Sequence, residues 1–185
     1  MSDLLERAEE THGSAHLYDA LRSFRCCRDE DIEHFLQEKA VEFLRRNWCS
    51  VYLLVDEQAF DAGRIKIDAY FTLSHKTLIP AAASKTTIKD ASGFKSSQSI
   101  HFVLIGQLGK YMVRAEDQSV LAADISSEEI LDRALEIVQM ASALIPCRCV
   151  LVECSDNEKV HKVYTDYGFK FFQFDGEHHQ FYRQV

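Results

Sequence analysis

Residues 149–174, CVLVECSDNEKVHKVYTDYGFKFFQF, read as a strand, a short helix and a second strand with almost no connecting residues. Val150, Leu151 and Val152 make the short apolar run of a buried strand. Ser155-x-x-Glu158 has the spacing of a capping box, so a helix is expected from Glu158 to about Tyr167. Val160, Val163, Tyr164 and Tyr167 recur at spacings of three and four and give that helix one apolar face. Gly168 supplies the left-handed residue that closes it, and 169–174 resumes as an aromatic-rich strand. On these grounds alone Tyr164 is a half-buried helix aromatic and Asn157 a cap residue.

Working outward, 126–145 is the longest expected helix, with Ile130, Ala134, Ile137, Val138, Ala141, Leu144 and Ile145 on one side and Pro146 after its end. Residues 102–105 (FVLI) predict a central strand, and Gly106 and Gly109 mark a bulge or a close backbone approach in it. Towards the N terminus, Ile32, Phe35, Leu36, Ala40, Phe43 and Leu44 form the stripe of a helix over 29–46, with Asp29, Glu30 and Asp31 at the end that favours negative charge. Runs 50–55 and 65–73 predict an antiparallel hairpin turning at Asp61-Ala62-Gly63. Stretch 79–99 lacks periodic apolar positions and reads as a long, locally basic loop carrying Lys85, Lys89 and Lys95. Residues 1–23 are polar, with weak periodicity at Leu4, Leu5 and Ala8, and read as a partly ordered extension ahead of one domain over 24–185.

The size, 185 residues, suits one substantial core. No apolar run is long enough to span a bilayer and no signal peptide is visible, so a cytoplasmic protein with reduced thiols is expected. The net charge of −8 tells against a general nucleic-acid surface. Six cysteines and eight histidines invite a metal reading, but Cys26-Cys27 and Cys147-x-Cys149 lack the two-residue gap of zinc knuckles, and no metal ligand is assigned. Cys147 and Cys149 are expected on one face of a strand, and His178-His179 in a solvated turn beside Gly176.

Asn157, Val160, Tyr164, Gly168 and Phe169 resemble, in order and spacing, the C-terminal signature of the GCN5-related N-acetyltransferases (GNAT family). The resemblance runs over about 24–185 and implies an α/β fold: a mixed, mostly antiparallel central sheet flanked by helices. It further implies transfer of an acetyl group from acetyl-coenzyme A, as co-substrate, to an amine attacking directly in a ternary complex. In that family the tyrosine protonates the departing thiolate and the asparagine contacts the cofactor arm, roles that fall on Tyr164 and Asn157. Matching Leu-Ile-Gly-Gln-Leu-Gly (104–109) to the family's splayed strand puts the backbone surface for the acetyl carbonyl and pantetheine arm at Leu108, Gly109 and Lys110, with 150–153 as the neighbouring strand. Acetyl-coenzyme A would then lie in the gap between these strands.

The family's glycine-rich pyrophosphate loop falls at 122–127, where this chain has Ala-Ala-Asp-Ile-Ser-Ser and no glycine. Ser126 and Ser127 can still present amides and hydroxyls at a helix N terminus. Asp124, Glu128 and Glu129 add negative charge beside them, and Ser126-x-x-Glu129 is itself a capping box. Within the family the chain looks most like the toxins of toxin–antitoxin systems, which acetylate aminoacyl-tRNA. The partners implied are acetyl-coenzyme A and an unidentified amine acceptor: a small molecule, a protein or an aminoacyl-tRNA. A homodimer and an antitoxin-type partner stay open. Glu153, His75 and His101 are unranked candidates for a general base. The competing reading is a GNAT-fold regulatory or partner-binding protein without turnover, which the missing glycines favour and Tyr164 opposes.

Overall fold

The computed structural model describes residues 14–185, so the periodic Leu4, Leu5 and Ala8 lie outside the described residues. The chain forms two compact units: one from the N-terminal part through Thr72 together with 107–130, the other from 73–106 together with 131–185. A six-stranded sheet has the order β1 (Ser50–Val55), β2 (Ile67–Leu78), β3 (Ile100–Lys110), β6 (Cys149–Cys154), β8 (His179–Gln184), β7 (Lys170–Phe174), is mixed and mostly antiparallel, and is flanked by helices.

In the first unit, α1 (Ser14–Ser23) buries Leu17, Ala20 and Leu21, and the chain then buries Phe24 beyond its end. The four-residue spacing of Leu17 and Leu21 puts both on one helix face. The next helix, α2 (30–45), starts where Asp29 caps it, its carboxylate accepting from the amides of Asp31 and Ile32 at 3.0 and 3.1 Å. Its middle, Phe35–Lys39, is wound as a π-helix, where the Ala40 amide reaches back to the Phe35 carbonyl. This wider turn rotates the apolar stripe so that Phe35, Leu36 and Ala40 are all buried. The sequence stripe shows the helix but not this change of winding.

Strand β1 (Ser50–Val55) has the expected bounds. Its expected partner, β2, is its neighbour in the sheet, but the connection between them is more than a turn. Asp56 caps a short helix, α3 (Glu57–Asp61), by accepting from the Ala59 amide at 2.9 Å, and β2 begins only at Ile67. An aspartate one position past a strand competes effectively as a helix cap, and that diverts the turn. β2 (Ile67–Leu78) then runs five residues past the expected end. Leu17, Leu21, Phe24, Phe35, Leu36, Val51, Ile67 and Tyr70 form the core of this unit. The Tyr70 hydroxyl donates to the Ile32 carbonyl at 2.6 Å, which satisfies its one polar atom inside that core.

The polar stretch after β3 (Ile100–Lys110) contains a small second sheet, β4 (Met112–Arg114) against β5 (Val120–Ala122). Helix α5 (Ser127–Ser142) follows and ends before the expected 145. Leu144 and Ile145 are 85% and 70% exposed, because the helix gives way ahead of Pro146.

In the second unit, stretch 79–99 is not a structureless loop. It holds α4 (Lys85–Ser92), capped by Ser84 accepting from the Thr87 amide at 3.1 Å and closed by Gly93 at φ +84°. Only Ile88 and Ala91 face its core, too few positions to show a period. β6 (Cys149–Cys154), α6 (Glu158–Asp166), β7 (Lys170–Phe174) and β8 (His179–Gln184) complete the unit. β8 is antiparallel to both β6 and β7. His178 lies in the turn as expected, whereas His179 opens β8 and is half-buried. Cys149 is buried at the start of β6, while Cys147 precedes the strand and does not share its face.

Candidate functional site

In the second unit, β3 and β6 are parallel, with registered pairs at Val103–Val150, Leu104–Leu151 and Ile105–Val152. Beyond these three pairs β6 continues to Cys154 alongside β8, and β3 continues to Lys110. The break comes at Gly106. The next amide, that of Gln107, donates to the Thr72 hydroxyl at 2.9 Å.

Helix α6 follows β6 after three residues. Its cap is Asn157, not Ser155: the Asn157 side-chain oxygen Oδ1 accepts from the amides of Lys159 and Val160 at 3.1 and 3.4 Å. The expected Ser155–Glu158 capping box is thus displaced by a better-placed asparagine. Gly168, at φ +86°, ends the helix as expected.

Tyr164 is half-buried on this helix, its ring against Phe169 and Phe181 at centroid distances of 5.7 and 6.2 Å. Among the described residues its hydroxyl has no hydrogen-bond partner. Burial, and secondarily the Cys154 thiol beside it, holds the phenol above its ordinary pKa. The group therefore stays protonated at neutral pH and keeps a proton to give.

Glu153, at the end of β6, is half-buried and fully engaged: Lys76 pairs with one oxygen at 2.6 Å, and the Gln180 amide donates to the other at 2.7 Å. His101 is exposed and contacts the Thr77 hydroxyl at 2.8 Å; His75 is also exposed. Lys76 was not legible as Glu153's partner, being 77 residues away in sequence.

In the first unit, the end of β3 and the 122–127 loop come together. Lys110 Nζ donates to the Ile125 carbonyl, and the Ala123 amide donates to the Tyr111 carbonyl at 3.0 Å. Leu108 and Lys110 are half-buried and Gly109 is buried. Gly109 has a packing reason to be glycine: a Cβ there would sit 2.5 Å from both Ile32 Cγ2 and the Tyr70 ring. The close approach expected at this position is thus made by the core.

Ser126 forms the capping box in full. Its amide donates to the Glu129 carboxylate at 2.7 Å, and its hydroxyl accepts from the Glu129 amide at 3.1 Å. Ser127 and Glu128 are exposed, and among the described residues their amides have no partner, which leaves two N–H groups at the start of α5 open to an anion.

No family model matches the chain, and no curated protein sequence matches it. Solved structures do. The AtaT protein complexed with acetyl-methionyl-tRNAfMet aligns at a TM-score of 0.67 and 22% identity, over 89% of this chain and 86% of that one. A Tyr-to-Phe mutant of the AtaT toxin, bound to acetyl-CoA and the C-terminus of its antitoxin AtaR, aligns at 0.63 and 20%, over 89% and 84%. A Tyr-to-Phe mutant of KacT aligns at 0.64 and 20%, over 88% and 85%. The chain has the GNAT fold. That expectation of fold from residues 157–169 is met.

Proposed function

We propose that the chain is an N-acetyltransferase that moves the acetyl group of acetyl-coenzyme A to an amine by direct attack in a ternary complex. The observation that carries this reading is Tyr164, a half-buried phenol whose hydroxyl has no hydrogen-bond partner among the described residues, on the helix that follows the interrupted parallel pair. The GNAT-fold neighbours support it, since AtaT binds acetyl-CoA and is complexed with an acetylated aminoacyl-tRNA.

In the reaction the amine nitrogen bonds to the thioester carbon, the carbon–sulfur bond breaks, and Tyr164 gives its proton to the departing thiolate. Backbone donors of Leu108, Gly109 and Lys110 would hold the carbonyl oxygen as charge builds on it. The Ser127 and Glu128 amides at the start of α5 would receive the pyrophosphate, with Ser126 holding that turn through its capping box. Asn157 spends its side-chain oxygen on the helix cap, so its amide nitrogen is the part offered to the cofactor arm. The amine's own proton leaves to water or to one of His75, His101 and Glu153, of which Glu153 is already tied by Lys76 and Gln180. The acceptor is an amine on a small molecule, a protein or an aminoacyl-tRNA; the net charge of −8 weighs against the last.

A second reading, a partner-binding protein without turnover, is favoured by the glycine-free loop whose Ser126 is consumed by capping. Thermal unfolding with acetyl-coenzyme A separates the two when followed by acetyl transfer to a panel of polyamines, peptides and aminoacyl-tRNA. Cofactor at one hundred times its Kd should raise Tm by roughly 5–10 °C. No shift at millimolar cofactor removes the enzyme and the cofactor together; a shift without transfer to any acceptor favours the binding protein.

A further inference from the structure

Asp156, His161 and His179 converge in the second unit from three different elements: the turn after β6, the second turn of α6 and the first residue of β8. One donor atom from each lies within 4.8 Å of the others. We propose that they form a binding site for a divalent transition-metal ion of the zinc class, a site that stands independently of the transfer reaction.

The chemistry of the donors points this way. The His161 Nε2 atom lies 3.2 Å from the Ser155 carbonyl oxygen. A carbonyl only accepts, so this nitrogen carries the proton and Nδ1 keeps the lone pair a metal requires. A backbone carbonyl fixing the tautomer of a ligating histidine is the usual supporting arrangement around zinc. His179 Nδ1 is buried without a hydrogen-bond partner among the described residues, and coordination would supply one. The two imidazole rings face each other at a centroid distance of 4.6 Å, a separation that brings nitrogens together without stacking the rings face to face, since they are inclined at 49°. The Asp156 carboxylate is exposed and has no ion-pair partner among the described residues, so it is free to complete the set.

Around the histidines lies an apolar wall. Phe174 is 4.8 Å from the His179 ring and Phe181 is 5.2 Å from that of His161, measured between centroids. These rings hold the two imidazoles in place. Donors held at about 2.0–2.2 Å in a tetrahedron stand roughly 3.4 Å apart, so atoms already within 4.8 Å of one another need only small side-chain shifts to close on an ion. Two imidazoles and a carboxylate suit zinc and its late first-row neighbours rather than calcium or magnesium, and three protein ligands leave one position for water. The neighbouring Cys154 thiol is turned instead to the His179 backbone carbonyl, 3.8 Å away. The bound ion would pin the first half of α6 to β8, and Tyr164 sits three residues further along that helix.

Titration of the full chain with Co²⁺, followed by visible absorption and competed with Zn²⁺, tests the site. One Co²⁺ per chain is expected, displaced by Zn²⁺, with Tm raised by roughly 5–10 °C at one hundred times the Kd of Zn²⁺. Asp156→Asn, at an exposed position that leaves folding alone, should weaken binding at least about 10-fold, and His161→Gln should weaken it further. Cys154→Ser should leave it unchanged. No Co²⁺ uptake at millimolar metal overturns the proposal. So does binding of the same affinity in Asp156→Asn, or binding lost in Cys154→Ser, either of which would put the ion on thiols.

Discussion

A single hydroxyl decides between an enzyme and a binding protein here, because Tyr164 has two readings that differ only in whether its oxygen does anything. Its ring packs on Phe169 and Phe181, as any half-buried helix aromatic would. Its oxygen, however, is protonated and unpartnered among the described residues, whereas the core tyrosine Tyr70 spends its hydroxyl on the Ile32 carbonyl. Tyr164→Phe keeps the ring and removes the proton donor. Acetyl transfer should fall by about 10²–10⁴, with cofactor affinity unchanged within a few fold. Transfer at the wild-type rate by the phenylalanine variant would mean that water or another residue protonates the thiolate.

Among the elements, the start of α5 is where this chain departs furthest from the glycine-rich pattern. The capping box takes the Ser126 amide and hydroxyl and leaves the Ser127 and Glu128 amides facing outward. If those amides receive pyrophosphate, bulk at Ser127 blocks its approach while loss of the side chain does not. Ser127→Trp should therefore abolish the stabilisation by acetyl-coenzyme A, and Ser127→Gly should retain or increase it. Calorimetric titration of both variants checks this, and an unchanged Kd for Ser127→Trp would move the pyrophosphate away from this helix. Helices with strong local signals were legible before the fold was known: Asp29 and Gly168 mark ends that the structure keeps. Short elements were not. α3 and α4 have five and eight residues, so their caps at Asp56 and Ser84 outweigh a periodicity too brief to read.

At the scale of the whole molecule, Asp90 at the end of α4 shows how distant segments are joined. Its carboxylate accepts from Lys170 at 2.8 Å, the Tyr182 hydroxyl at 2.7 Å and the Gln184 amide at 3.1 Å. The Lys170 bond first, and the Tyr182 bond next, hold its carboxyl below the ordinary aspartate range. A depressed folded pKa contributes stability above the unfolded value, and that contribution is lost as pH falls through the folded one. The midpoint difference between wild type and Asp90→Asn in urea should be constant above about pH 5 and shrink as pH drops below about 4. A difference that persists undiminished at low pH would show that the bonds, not the charge, matter. None of these partners, 80 to 94 residues from Asp90, could be named from the sequence. What the sequence determined by itself was local and periodic: the strand–helix–strand of 149–174, the long amphipathic helices, and through their order the fold. What only the tertiary structure decided was every pairing across the chain: Lys76 on Glu153, Tyr70 and Ile32 against Gly109, and His161 beside His179. The physical reason is that periodicity and capping act over one or two turns of chain, where composition shows them, whereas these contacts arise only after strands have chosen neighbours and register.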